Sequence, residues 1–276
     1  MEAKQLLLQQ RDWLYAKFIT EDLKNSEISV LTGVSRKGVE YWLKKHGIKK
    51  FKAGYKYPIN ESKIDVTSPE FMYFVGLFIA DGTMNRKNKR ATIKIKDIEP
   101  LEAIKAYFET TVPITKIDDG YHNFNYELRL SSKTLTDYLG KLYTDNKTSD
   151  VVWPTAHNKD CFNMLFRGFI DGDGSVEIKS YASAYFRFGS ASKNLIELFL
   201  CQYLIYYPTA VINRYKASLK SNKYFEHLEL RNGFNHLVEV YQEYPTFAIK
   251  RKRDKIKLLI DDIVQTYGII NYKRWG

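Results

Sequence analysis

The chain has 276 residues, of which 44% are hydrophobic, and it carries a formal net charge of +11. This length suits one large domain or two smaller ones with a substantial core, and the hydrophobic content argues against intrinsic disorder. No apolar run reaches the ~18 residues that a membrane-spanning helix needs. Residues 1–11 also lack the apolar core of a secretory signal. We therefore expect a soluble, intracellular protein with no membrane partner.

The excess of positive charge points to a polyanionic partner, because it creates a field that attracts nucleic acid. The two cysteines, Cys161 and Cys201, have neither the spacing nor the histidine neighbours of a zinc site, and they do not form a disulfide framework. Nucleic acid is therefore the leading candidate partner.

Two short helices are predicted within residues 23–48. Ser26 can cap the first helix, Ile28 and Leu31 supply its apolar positions, and Gly33 can end it in a left-handed conformation. Ser35 can cap the second helix. The apolar residues that share one face of this second helix are Val39, Trp42 and Leu43.

This pattern resembles a helix-turn-helix, whose second helix enters the major groove. Residues 1–57 contain 12 Lys and Arg against 6 Asp and Glu, a local excess that favours DNA binding. The alternative is a helical hairpin that caps the larger domain. We interpret residues 1–57 as a helix-turn-helix domain and residues 58–68 as a linker. The residues predicted to face DNA are Arg36, Lys37, Glu40, Tyr41 and Lys44.

An internal repeat is the most informative feature of the sequence. Residues 74–82 read FVGLFIADG, and residues 166–174, which lie 92 positions later, read FRGFIDGDG. Each motif is followed by strand-like and helical stretches in the same order. Each half of the chain therefore has the predicted outline αββαββα.

Small residues four positions apart leave a bare stripe on each motif helix, which allows two helix backbones to approach closely. The helices would then end side by side at Asp81 and Asp173. A carboxylate at the carboxyl end of a helix is unfavourable, because the helix dipole already places negative charge there. A bound divalent cation would offset this repulsion through both carboxylates and the carbonyls of Ala80 and Gly172, since Mg²⁺ prefers oxygen ligands.

The paired motifs resemble those of LAGLIDADG homing endonucleases in their monomeric, two-motif form, over residues 69 to about 260. The resemblance implies an α+β fold, in which repeats at residues 69–158 and 159–276 form a saddle on duplex DNA. The eighth motif position is the metal-binding acid of that family, which is Asp81 in one repeat and Asp173 in the other. The resemblance further implies a Mg²⁺- or Mn²⁺-dependent enzyme that leaves 3′ overhangs in a long asymmetric site.

The family also places a basic residue near the scissile phosphate, late in each repeat. Alignment of residues 146–149 with residues 251–254 suggests Lys147 and Lys252 for this role, in which they would activate water or stabilise charge on the phosphate. Lys159 and Lys250 are competing candidates, and the basic run that begins at Lys250 could instead be a solvated face that contacts the DNA backbone.

Alternating residues in the predicted strands suggest a charged sheet face toward DNA. In residues 92–96, Lys94 and Lys96 share one face, while Ile93 and Ile95 enter the core. Any half-buried sheet also shows a charged face, so base readout is a prediction for each residue. The residues predicted to contact DNA from the sheets are Lys94, Lys96, Arg129, Lys179, Arg187, Arg214, Lys216 and Arg231.

A non-cleaving protein on the same scaffold is the main alternative. Such a protein would act as an intron RNA maturase or as a transcription factor that uses the helix-turn-helix. Two acids at unfavourable helix ends favour cleavage, because a protein that only binds nucleic acid does not need them. We therefore predict a monomeric, site-specific, double-strand DNA endonuclease.

Overall fold

The computed structural model describes residues 7–21, 23–48, 57–118, 124–143, 150–178, 184–216, 225–231, 239–241 and 247–267. The chain divides into two compact units, Met1–Lys56 and Tyr57–Gly276. None of the described helices combines the length and the apolar character that crossing a membrane requires.

The first unit is helical. It contains α1 (Arg11–Tyr15), a π-helical turn (Ala16–Thr20), α2 (Asn25–Thr32) and α3 (Arg36–Lys45). Its small core consists of Leu8, Leu14, Ile28, Val39, Leu43 and Ile48.

The turn between α2 and α3 uses two of the residues expected from the sequence. Gly33 has φ = 67°, in the left-handed region that glycine adopts without strain. Ser35 caps α3, because its Oγ accepts a hydrogen bond from the Gly38 amide at 3.2 Å.

The start and the buried face of α2 differ from the prediction. The helix begins at Asn25, one residue before Ser26, and the Glu27 carboxylate accepts a hydrogen bond from the Lys24 amide at 2.6 Å. Ser26 is therefore not the cap. Leu31 is also 48% exposed.

The second unit contains two copies of the order αββαββα, as the repeat in the sequence predicted. The first copy consists of α4 (Pro69–Asp81), β1 (Gly82–Asn85), β2 (Arg90–Ile95), α5 (Glu99–Tyr107), β3 (Thr115–Asp118), β4 (Phe124–Ser131) and α6 (Lys133–Leu139). The second consists of α7 (Lys159–Asp173), β5 (Ser175–Ile178), β6 (Ala184–Ser190), α8 (Lys193–Tyr206), β7 (Val211–Lys216), β8 (Glu226–Arg231) and α9 (Lys250–Tyr267).

Each copy folds its strands into a four-stranded antiparallel sheet. The strand orders are β1-β2-β4-β3 and β5-β6-β8-β7, so the two sheets have the same topology. Apolar residues alternate along the central strands, and this alternation gives each sheet one buried face. Ile93 is paired with Leu128 in the first sheet, and Phe186 with Leu230 in the second.

Helices α4 and α7 lie in the centre of the unit. α4 is buried continuously from Phe71 to Ile79, and α7 from Cys161 to Asp171. Each begins at a capping side chain: Ser68 accepts from the Phe71 amide, and Asn158 from the Cys161 amide. These helices are buried on all sides because each contacts both a sheet and the other helix.

Residues 58–68, which we expected to be a linker, pack against the first repeat. Ile59 is buried, and the backbone N–H of Asn60 donates to the backbone carbonyl of Phe108 at 2.9 Å. The Tyr107 hydroxyl donates to the carbonyl of Lys63 at 2.8 Å. The segment is therefore part of the second unit.

Candidate active site at the paired helix ends

Helices α4 and α7 cross in direct backbone contact at two glycines. A Cβ atom on Gly76 would lie 1.9 Å from the carbonyl oxygen of Leu165, and one on Gly168 would lie 2.1 Å from that of Tyr73. Neither backbone oxygen can move aside without moving its helix. The crossing therefore requires glycine at both positions, and it sets the alignment of the two helices.

The same alignment brings the carboxyl ends of the helices together. α4 ends at Asp81 and α7 ends at Asp173. A Cβ atom on Gly172 would lie 2.3 Å from the Cβ of Ala80 and 2.7 Å from Oδ2 of Asp81. The end of α7 thus lies against the Asp81 carboxylate, where a larger residue would not fit.

The two acids differ in exposure, because Asp81 is half-buried whereas Asp173 is exposed. Among the described residues, no group of three or more His, Cys, Asp or Glu side chains could by itself enclose a metal ion. Two carboxylates at an open helix end suit a hard cation that takes its remaining ligands from water and phosphate. The residues present therefore fit a site that is completed by substrate.

Lys252 lies at this site but is buried, with 9% of its surface exposed. Its Nζ donates to the carbonyls of Ile170 at 2.6 Å, Asp171 at 2.9 Å and Gly174 at 2.8 Å. Burial lowers the pKa of Lys252, while the negative charges of Asp171 and Asp81 act in the opposite direction. All three ammonium donors are used, so Lys252 stabilises the carboxyl end of α7 instead of reaching outward.

Tyr143 occupies the corresponding place at the end of α4. Its hydroxyl donates to the carbonyl of Phe78 at 3.0 Å, and Phe78 corresponds to Ile170 in the repeat. Burial raises the pKa of Tyr143, and the nearby charge of Asp173 raises it further. One helix end is thus closed by a cation and the other by a neutral phenol.

A buried carboxylate, Asp171, holds the surrounding segments to α7. It accepts hydrogen bonds from the hydroxyls of Tyr73 at 2.8 Å and Tyr241 at 2.9 Å, and from the amide of Ile249 at 3.1 Å. Burial raises the pKa of Asp171, whereas the positive charges of Arg167 and Lys252 oppose that effect. Asp171 was not among the predicted site residues. Its signal in the sequence is an acid inside an apolar helix, four residues after Arg167.

Two predicted lysines, Lys147 and Lys179, lie outside the described residues. Lys159, a competing candidate, forms an ion pair with Glu239 at 2.8 Å and lies over the ring of Tyr207. Lys250 is exposed at the start of α9. The structure therefore places Lys159 at the amino end of α7, away from the carboxyl ends that carry Asp81 and Asp173.

The exposed face of the first sheet carries Lys94 and Arg129, and the exposed Lys96 follows directly after β2. On the second sheet, Arg187 and Arg231 lie on one face, and both contact Glu229 between them.

Arg214 and Lys216 lie on the opposite, helix-bearing face of the second sheet. Arg214 pairs with the fully buried Glu226, and also with Glu197 of α8 at 2.7 Å. Lys216 is two residues further along the same strand and has the same orientation. The two residues predicted to contact DNA from β7 therefore lie on the face opposite Arg187 and Arg231.

In the first unit, the side chains predicted to face DNA form one exposed stripe of α3: Arg36, Lys37, Glu40, Tyr41 and Lys44. Glu40 forms an ion pair with Arg36 at 3.4 Å and accepts from Asn25 at 3.3 Å. Tyr41 is 58% exposed.

The fold is similar to that of several solved structures. The homing endonuclease I-WcaI, solved bound to its DNA recognition sequence, has a TM-score of 0.51 and 14% identity, covering 71% of this chain and 90% of that chain. Full-length DUF199/WhiA from Thermatoga maritima has a TM-score of 0.45 and 12% identity, over 74% of this chain and 66% of that one. Meganuclease I-SmaMI bound to uncleaveable DNA has a TM-score of 0.44 and 15% identity, covering 75% of this chain and 92% of that chain. The chain has the LAGLIDADG α+β fold.

No protein-family model matches the chain. In sequence, it is 27% identical over 143 residues to the DNA-directed RNA polymerase subunit Rpo1C of Methanocaldococcus jannaschii. The match covers 50% of this chain and spans only 16% of that protein.

Proposed function

We propose that the protein is a divalent-metal-dependent endonuclease that cuts both strands of duplex DNA at a specific site. The observation that carries this proposal is the contact between Gly172 and Asp81, which brings the two carboxylate-bearing helix ends together. A protein that only binds DNA gains nothing from two acids placed where they repel both the helix dipoles and the phosphates.

Asp81, Asp173 and the carbonyls of Ala80 and Gly172 would hold Mg²⁺ or Mn²⁺ together with a target phosphate. At this position the two acids would hold a cation whose chemistry would be to acidify water and to stabilise charge on the attacking and leaving oxygens. The chain itself orients the carboxylates, because the glycine crossing fixes α4 against α7. Each acid would serve one strand, which gives a staggered break with 3′ overhangs in a long asymmetric site.

Lys147 and the exposed Lys250 are the remaining candidates for a cation beside the phosphate. Lys252 would act indirectly, since its ammonium lowers the negative potential at the end of α7. We further propose that the helix-turn-helix formed by α2 and α3 extends the DNA footprint, and that the protein acts as a monomer.

The burial of Lys252 favours a second candidate function. With all three of its donors bound to carbonyls, this lysine is unavailable to a phosphate, which suits a scaffold that binds DNA or intron RNA without cutting it. The two candidates make opposite predictions for metal-dependent cleavage.

The deciding experiment incubates the protein with a library of randomised duplexes and Mg²⁺, and sequences the cut ends. We expect defined staggered ends, with cleavage lost in Asp81→Asn and Asp173→Asn. Asp137→Asn, an exposed acid on α6, is the matched control and should cut normally. Cleavage that survives in both motif variants, or binding without any cleavage by the wild type, would overturn the endonuclease proposal.

A further inference from the structure

Glu229 is the centre of an ion-pair network on the exposed face of the second sheet, although only 2% of its own surface is exposed. Its Oε2 accepts from Nε of Arg187 at 2.8 Å and from Nη2 of the same residue at 2.5 Å. Its Oε1 accepts from Nε of Arg231 at 2.5 Å and from Asn213 at 3.1 Å. The carboxylate is thus saturated, and it fixes two guanidinium groups at once.

The two arginines are held in different ways. Arg187 uses three of its nitrogens within the network, since Nη1 donates to Glu177 at 2.5 Å, and its guanidinium lies 4.7 Å from the centre of the Tyr185 ring. Within the described part of the chain, the contacts of Arg231 engage only Nε, and its side chain is 55% exposed. Arg231 is therefore anchored through Nε, and among the described residues its two terminal nitrogens, which lie in the same plane, have no partner.

The first sheet repeats this arrangement. Arg129 is two residues after Glu127 on β4, as Arg231 is two residues after Glu229 on β8, and its Nε pairs with Oε1 of Glu127. Glu127 is 9% exposed, whereas the Arg129 side chain is 53% exposed. Lys94 is the cross-strand partner of Glu127, in the position that Arg187 has beside Glu229. An ion pair between a buried glutamate and an exposed arginine two residues later therefore occurs in each half. The hydrogen-bonded network around this pair is a feature of the second sheet, because Oε1 of Glu127 accepts no hydrogen bond from the described residues.

An anchored guanidinium has a specific use in a DNA groove. Its two terminal nitrogens match the O6 and N7 acceptors of guanine, which form the commonest specific contact in the major groove. A buried carboxylate on Nε holds the side chain in one orientation before DNA arrives, so less side-chain freedom is lost on binding.

We infer that Arg129 and Arg231 each read one guanine, one in each half of the target, and that Glu127 and Glu229 are the residues that position them. This inference rests on the proposed DNA-binding function and adds a base identity to it. Arg187 supports Glu229, since each of its three guanidinium nitrogens already donates to Glu229 or Glu177. The competing role for these arginines is contact with phosphate, which carries no base preference.

The test begins with selection of bound duplexes from a randomised library by the wild-type protein, in a chelating buffer so that sites stay intact. Guanine should be enriched at one position in each half-site. Replacing either guanine should then weaken binding about 5- to 150-fold at fixed salt, the range for loss of one bidentate contact.

Variants assign each guanine to its arginine. Arg231→Lys keeps the charge but loses the planar fork, so it should remove the preference at one position and leave the other intact. Arg129→Lys should do the reverse. Glu229→Gln should weaken the preference at the Arg231 position, while Lys133→Ala, a charge change on α6, should leave both preferences unchanged.

A wild type that binds DNA without guanine enrichment, or Arg→Lys variants that keep both preferences, would overturn this inference and leave the proposed function standing. An Arg→Ala series that weakens all sequences equally would assign the arginines to phosphates. Failure of the wild type to bind any duplex would instead overturn the proposed function, and this inference with it.

Discussion

Lys252 and Tyr143 close equivalent ends of the two paired helices with different chemistry. Lys252 donates to the carbonyl of Ile170 at 2.6 Å, and Tyr143 donates to that of Phe78 at 3.0 Å. The two acceptors are equivalent positions of the repeat. The fold is thus nearly symmetric at the backbone, but the charge beside the two catalytic candidates is not.

This difference predicts unequal costs of removing the two groups. Lys252→Met removes three hydrogen bonds, two of them buried, and should lower the free energy of unfolding by about 2–4 kcal/mol. Tyr143→Phe removes one hydrogen bond and should cost about 1 kcal/mol. Urea unfolding measures both, with Lys257→Met on the exposed face of α9 as the control. Equal losses in the two variants would contradict the asymmetry.

The crossing of α4 and α7 at Gly76 and Gly168 predicts that a single added methyl group lowers the free energy of unfolding more than the loss of the Tyr143 hydroxyl does. Gly76→Ala or Gly168→Ala would bring a methyl group to about 2 Å from a backbone carbonyl of the facing helix. The helices must separate, so we expect a loss of about 3 kcal/mol or more and a displaced pair of acids.

Thermal unfolding and metal-dependent cleavage should both report this displacement. Gly140→Ala is the control, since the nearest backbone atom to the added methyl group is 3.0 Å away, at the half-buried end of α6. A variant at Gly76 that retains both stability and activity would show that the crossing is adjustable.

The order of helices and strands could be predicted because a repeat of 92 residues carries the same periodicities twice. The approach of the two helix ends that carry Asp81 and Asp173 could be predicted from small residues at a four-residue spacing. The contact of Lys252 with the carboxyl end of α7 could not be predicted. Its three acceptors lie about 80 residues away, and sequence does not show where a long side chain reaches.

The orientation of β7 was also beyond the sequence. Val211 and Ile212 are adjacent apolar residues, so alternation does not reveal which face of that strand is buried. Pairing with β8 settles it, because Ile212 is opposite the buried Leu230 and Arg214 is opposite Leu228. Arg214 consequently points toward the helices.

Glu229 predicts a pH-dependent contribution to stability. Burial alone would raise its pKa, but hydrogen bonds from Arg231, Arg187 and Asn213 outweigh burial and lower the pKa to about 2. Because the folded pKa is below the unfolded value of 4.5, the unfolded chain binds more protons between these values. This contribution is therefore fully present above about pH 5 and is lost as the pH falls toward 2.

Comparison of wild type with Glu229→Gln tests the assignment. The difference in unfolding free energy between the two proteins should shrink as the pH is lowered from 5 to 2, measured by denaturant unfolding at several pH values. Glu177→Gln, at a more exposed partner of Arg187, should show a weaker dependence. A difference that stays constant with pH would show that Glu229 is not held ionised by its arginines.

The stripe on α3 predicts how the first unit contributes to DNA binding. Lys37 and Lys44 are exposed on the same helix, and each phosphate contact adds about 0.9 to the slope of log affinity against log salt. Lys37→Ala with Lys44→Ala should therefore reduce that slope by up to about 1.8 and weaken binding to long duplexes, because two counterion-releasing contacts are lost.

The cut position should not change, since the acids belong to the second unit. Lys17→Ala is the matched control, because Lys17 already forms an ion pair with Glu21 at 2.6 Å. Titrations of labelled duplexes across a salt series give the slopes, and mapping of the cut ends gives the position. An unchanged slope in the double variant would assign α3 a structural role and leave DNA recognition to the two sheets.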